Sequence, residues 1–98
     1  MLLECYKITK QLPPEEKYVL ISQIRRASLS VKLNIAEGAA RKSPTERKRF
    51  YEIARSSVVE IDSALEAVAD LKYVALEGLQ KLGVLLNRCF SMLSNMIG

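Results

Sequence analysis

Apolar residues recur along this chain at alternating steps of three and four, the spacing of one face of an α-helix. The stretch 23–41, QIRRASLSVKLNIAEGAAR, shows the pattern most fully. Arranged at about 100° per residue, Leu20, Ile24, Ala27, Val31, Ile35 and Gly38 fall on one side and predict a core stripe. Beside them runs a polar series at the same steps: Gln23, Arg26, Ser30, Asn34, Glu37 and Arg41. Roughly opposite the core lie Tyr18, Leu29, Leu33, Ala36 and Ala40. A surface helix ordinarily buries one stripe and wets the other. Apolar residues on two sides therefore predict a helix covered twice, once by its own chain and once by another, the central helix of an oligomer.

The same reading places four helices. The first covers about 2–11, with Leu2, Leu3, Tyr6 and Ile8 as its apolar members. Pro13 and Pro14 end it, and Pro14 suits the first position of a second helix that runs to about residue 40. Ser43-Pro44-Thr45-Glu46 is a start signal, with Ser43 as cap and Glu46 completing a capping box. The third helix, about 44–71, should bury Phe50, Ala54, Ser57, Ile61, Ala64, Leu65, Val68 and Leu71. After a connection near 72–75, a fourth helix to about 97 should bury Leu79, Leu82, Leu86, Cys89, Phe90, Leu93 and Met96. No strand-like alternation occurs. The predicted fold is all-α, an antiparallel up-down-up-down four-helix bundle in a single domain, 1–98.

Composition then removes chemistry. The chain has no His, so it offers no imidazole base and no Ser-His or Cys-His pair. Cys5 and Cys89 lie at opposite ends without a zinc-like spacing and are expected to be free, reduced, packed thiols. The most apolar tail, 84–97, is too short for a membrane span and is interrupted by Asn87, Arg88 and Asn95. These features predict a soluble cytoplasmic protein with no metal, no cofactor, no membrane partner and no catalytic residues. Glu37 and Glu60 are the only acids near the central motif, and no nucleophile accompanies them.

Charge redirects attention to the middle of the chain. Residues 25–55 hold nine Lys or Arg and three Glu, net +6, while the remainder carries six cations and eight acids. Five cations and one acid crowd into 41–49, and Arg41, Lys42, Arg47, Lys48, Arg49 and Arg55 are the candidate phosphate-binding residues for RNA or DNA. Tyr51 is the only aromatic expected within the patch, which predicts backbone contacts that are salt-sensitive and weakly sequence-specific. Further along the outer side of the third helix, Asp62, Glu66 and Asp70 sit against the helix dipole. Gln23, Arg26, Ser30, Asn34 and Glu37 are the candidate oligomer-interface residues, since buried polar groups need partners and tend to fix register. Glu37 is the candidate for an ion pair between subunits.

A family resemblance enters on specific residues. Leu12-Pro13 with Glu16, then Gln23-x-x-Arg26-Ala27-x-x-Ser30, then Asn34-Ile35-Ala36-Glu37-Gly38-x-x-Arg41-x-Ser43, resemble the small bacterial four-helix-bundle proteins called 23S rRNA-intervening-sequence proteins. Phe50, Ala54, Ser57 and Glu60 continue the match, which covers about Leu12 to Leu71. That family is similar in fold to the accessory variability determinants of diversity-generating retroelements. The resemblance implies a homopentamer in the form of a ring or barrel, a basic surface, and nucleic-acid binding together with a reverse transcriptase. The first helix here is shorter than the family pattern, and Ser56-Ser57 stands where that pattern has Gly-Ser, which predicts a slightly wider helix approach. Two functions follow. The chain is expected to be a non-catalytic, homo-oligomeric nucleic-acid-binding module, accessory to a reverse transcriptase. The alternative is an oligomeric scaffold whose basic surface docks an acidic protein.

Overall fold

The computed structural model describes all 98 residues, Met1–Gly98. It is all-α, with four helices and no strand: α1 (Leu2–Thr9), α2 (Ser22–Ala40), α3 (Pro44–Asp70) and α4 (Leu76–Ile97). The molecule is an elongated slab of 43 × 24 × 18 Å. One cluster of 19 buried apolar residues runs through it, with Ile24, Ile61, Leu82, Leu86 and Leu93 among its most enclosed members.

Contacts between α2 and α3 are the most extensive, α3 packs on α4, and α1 lies against α2 and α4. Advance along α2 is matched by retreat along α3. Gln23 bonds to Glu60, Ser30 to Ser57, and Gly38 packs on Tyr51. The Gly38 approach is the tightest, because a Cβ there would lie 2.5 Å from Tyr51 Cε1. Glycine at this position is a packing requirement.

Helix ends follow the sequence signals closely. Ser43 caps α3, its hydroxyl accepting from the Glu46 amide at 3.4 Å, and Pro44 takes the first helical position. Glu46 makes no return bond, so the box is half formed. At the other end of α3, Lys72 adopts a left-handed φ of 58°. Its amide donates to the Ala69 carbonyl and the Tyr73 amide to the Val68 carbonyl, the Schellman pattern that ordinarily selects glycine.

Several predicted positions are corrected. The second helix does not run evenly from residue 14. A 3₁₀ turn, Pro14–Glu16, and a π turn, Lys17–Ile21, precede α2. This uneven winding begins on the second residue of a Pro-Pro pair that supplies no amide donors and includes the buried Leu20. In α1 the inward residues are Cys5, Ile8 and Thr9, while Leu3 is exposed and Leu2 and Tyr6 are half-buried. The helix ends at Thr9 and its axis lies over both α2 and α4, so two neighbours share its inward arc. In α3, Tyr51 is buried and Phe50 only half so, because the Gly38 cleft accepts the Tyr51 ring. Leu71 lies past the helix end and is exposed. Phe90 and Met96 of α4 are exposed flanks, and Cys89 is half-buried. Ser56 points to solvent, so it does not set the helix spacing; Ser57 does.

Candidate nucleic-acid interface

The tight turn between α2 and α3 carries the basic run. Arg41 closes α2 in an extended conformation, its amide donating to the Gly38 carbonyl. Lys42 and Ser43 complete the turn and α3 starts at Pro44, so the cations gather at one tip of the slab. Their engagement differs. Arg41 Nη2 donates to Glu37 Oε2 at 2.8 Å, and its guanidinium lies 4.9 Å from the Phe50 ring centre. An exposed pair at this spacing contributes about 0.3 to 0.5 kcal/mol. Arg47 folds back, Nη2 donating to the Lys42 carbonyl at 3.4 Å. Lys42, Lys48 and Arg49 are exposed, and none of their side chains has a hydrogen bond or an ion pair. Arg55 is not brought to the tip. It is half-buried, Nη1 donating to Ser94 Oγ at 3.1 Å beside the Phe90 ring, and ties α3 to α4.

The polar series of α2 is largely satisfied within the chain. Gln23 Nε2 donates to Glu60 Oε2 at 3.1 Å. The Ser57 hydroxyl donates to Ser30 Oγ at 2.9 Å, and Asn34 Nδ2 donates to the Ser30 carbonyl and hydroxyl. Glu37 holds Arg41 as described. The spacing of four between those two residues signals the pair in the sequence. Arg26 is the exception: it borders an open cleft of about 310 Å³ with Gln23, Ser30, Ile53, Ser57 and Glu60 and has no partner. On the same helix Leu29 and Leu33 remain exposed, as do Tyr18 and Val19 before it.

Groups with perturbed acidity lie elsewhere. Burial pushes the Cys5 thiol up to about 11, against an opposing hydrogen bond from Ser28, and burial raises Cys89 as well. Burial raises the Tyr73 phenol, with Glu16 and Glu15 adding to the effect. The Lys81 ammonium, 3.1 Å from Glu4, holds that carboxyl below the usual range. The free thiols are packed or partly packed, and no group of three or more Cys, Asp or Glu converges anywhere. No helix is long and apolar enough to cross a membrane.

One contact set was not legible from spacing. Arg25 Nε donates to Thr9 Oγ1 at 2.8 Å, and its guanidinium sits 4.5 Å from the Tyr6 ring centre. Thr9 in turn donates to the Tyr6 carbonyl, and Ser28 to that of Arg25. This part-buried network docks α1 on α2. A threonine at the end of a short helix carries no sequence mark of such a role.

The family model for 23S rRNA-intervening sequence proteins matches residues 1–95, nearly the whole chain. The chain belongs to that family. Membership of the intervening-sequence proteins thus extends through α1 and α4, beyond the Leu12 to Leu71 stretch on which the motif residues lie. No curated protein matches the chain.

Proposed function

We propose that this intervening-sequence family member is a non-catalytic, homo-oligomeric nucleic-acid-binding module acting in the cytoplasm. Its unit is an antiparallel up-down-up-down bundle, supported by the reversed order of the Gln23–Glu60, Ser30–Ser57 and Gly38–Tyr51 pairs. Copies associate across the outward side of α2, where Arg26 is unpartnered and Leu29 and Leu33 are exposed, with Gln23, Ser30, Asn34 and Glu37 alongside. The resemblance implies a pentameric ring, and an accessory role beside a reverse transcriptase.

The observation that carries nucleic-acid binding is the tip itself: Lys42, Lys48 and Arg49 stand exposed and unpaired at the start of a long helix. Such a start offers a favourable dipole to phosphate. With Tyr51 buried and one Phe50 face under Arg41, the tip presents no free aromatic platform for bases. Contacts go to phosphates, and sequence preference is weak.

Fluorescence anisotropy with a labelled structured RNA and a DNA duplex, across salt, tests this reading. Three phosphate contacts per copy on the DNA duplex predict a slope of about −2.7 in log K against log salt. Reversal to Glu at Lys42, Lys48 and Arg49 together should weaken binding at least about tenfold while helix content stays unchanged. Equal binding by the variant removes the tip as the site. Absence of any binding by the native chain leaves the acidic-protein scaffold in its place.

A further inference from the structure

Two surfaces carry exposed apolar residues beside charges that, Arg25 apart, nothing in the chain answers. The first lies where α1 meets α2. Leu2, Leu3, Tyr6 and Lys10 line a hollow of about 360 Å³. Tyr6 stacks with Arg25, and Leu2 shares a second hollow with Lys32. Beside those two cations on α2 stand Leu29 and Leu33, 43% and 54% exposed. The charges here are all positive. Glu4, the sole acid of α1, turns away to Lys81 of α4, and Glu37 of α2 is held by Arg41 at the far end.

The second surface is the outer side of α3 with the edge of α4. From residue 56 to 71 the chain has no Lys or Arg, and Asp62, Glu66 and Asp70 stand exposed at steps of four with no ion pair. They lie in the C-terminal half of α3, against the helix dipole, so local helix stability does not account for them. Beside Asp62, Val59 and Phe90 border a hollow of about 130 Å³ and are both substantially exposed.

We propose that the first surface of one copy docks on the second surface of the next. Leu29 and Leu33 meet Val59 and Phe90, and Lys10, Arg25 and Lys32 stand opposite Asp62, Glu66 and Asp70. The lengths agree: at about 1.5 Å per residue, Arg25 to Lys32 spans roughly 10 Å and Asp62 to Asp70 roughly 12 Å. Because the two patches differ, the contact is head-to-tail, and every copy has one of each. Such a contact closes into a ring when its rotation allows. The inference rests on the homo-oligomer reading above and specifies its contact.

Charge exchange tests it by light scattering on the full chain. The native chain should run as a multiple of 11.0 kDa. Lys10→Glu with Lys32→Glu, or Asp62→Lys with Glu66→Lys, should each drop the mass toward one copy, and all four together should restore it. Native-like circular dichroism accompanies each variant, since all four positions are exposed. As a second measurement, copies with Lys32→Cys and copies with Glu66→Cys, both with Cys89→Ala, should cross-link through a short bis-maleimide when mixed and not when alone. A native oligomer that keeps its mass in both reversal variants, or that fails to cross-link on mixing, overturns this contact and leaves oligomerisation standing. A native chain that stays at 11.0 kDa overturns both, and the first surface then belongs to an acidic helix of another protein.

Discussion

At the scale of single residues, two positions show how backbone geometry governs stability here. Gly38 faces the Tyr51 ring with no room for a methyl group, the ring atoms lying 2.5 to 3.1 Å from where its Cβ would be. A tyrosine ring wedged between two helices cannot rotate aside without moving one of them. Gly38→Ala should therefore destabilise the fold by about 1 to 3 kcal/mol, despite alanine's better helix propensity. Urea denaturation of the variant checks this, and Tyr51→Leu in the same chain should recover part of the loss. Lys72 is the opposite case. It holds a left-handed conformation that costs an L-residue about 1 to 2 kcal/mol, partly offset by glycine's greater unfolded-state entropy. Lys72→Gly should raise stability by about 1 kcal/mol. A lower melting temperature would count against the Schellman assignment.

At the scale of elements, α1 is the one whose attachment depends on few interactions. It has eight residues, buries Cys5 and Ile8 in the core, and is otherwise held by the Arg25–Thr9 bond, the Tyr6 stack and the Glu4–Lys81 pair. The Lys81 hydrogen bond depresses the Glu4 carboxyl in the folded state. A depressed acid stabilises the fold above its unfolded value, and that contribution is lost as pH falls through the lowered one. Hydrogen exchange of the α1 amides should accordingly show protection, corrected for intrinsic rates, declining between about pH 5 and pH 3. Glu4→Gln should abolish this pH dependence, and an unchanged profile would remove the pair from α1 docking. The central elements behave differently, since α2 and α3 are joined by packed apolar residues and a neutral Ser30–Ser57–Asn34 network.

At the scale of the whole molecule, charge and shape work together. If copies assemble as proposed, a slab with a basic tip presents many weak phosphate sites at once. Effective concentration then raises affinity by roughly 10²-fold or more without new contacts. Variants that break the assembly but leave Lys42, Lys48 and Arg49 untouched should therefore lose RNA affinity at least about tenfold. Affinity independent of oligomer state would show that one tip suffices.

Much of this arrangement was legible in the sequence. The helix start at Pro44 and the stop near residue 40 matched their signals, because caps and prolines act locally, whereas the stop near residue 70 and the start at Leu76 followed from the apolar pattern without a cap or proline to fix them. The core stripe of α2 and the exposure of Leu29 and Leu33 also matched, since a period of 3.6 constrains every position on a long helix. At the candidate site, the cations at 41–49 were visible as a run, but their different engagement was not. Arg55 reads like its neighbours until α4 lies beside it. What only the tertiary structure decided concerns relations between helices. Phe50 and Tyr51 are adjacent and both aromatic, so no periodic argument chooses the one facing a glycine 13 residues earlier on another helix. The polar series on α2 was likewise definite as a series, but its partners on α3 follow from register. Local sequence determines which way a residue faces around its own helix axis, whereas the identity of what it faces depends on how helices slide and rotate against each other in the packed core.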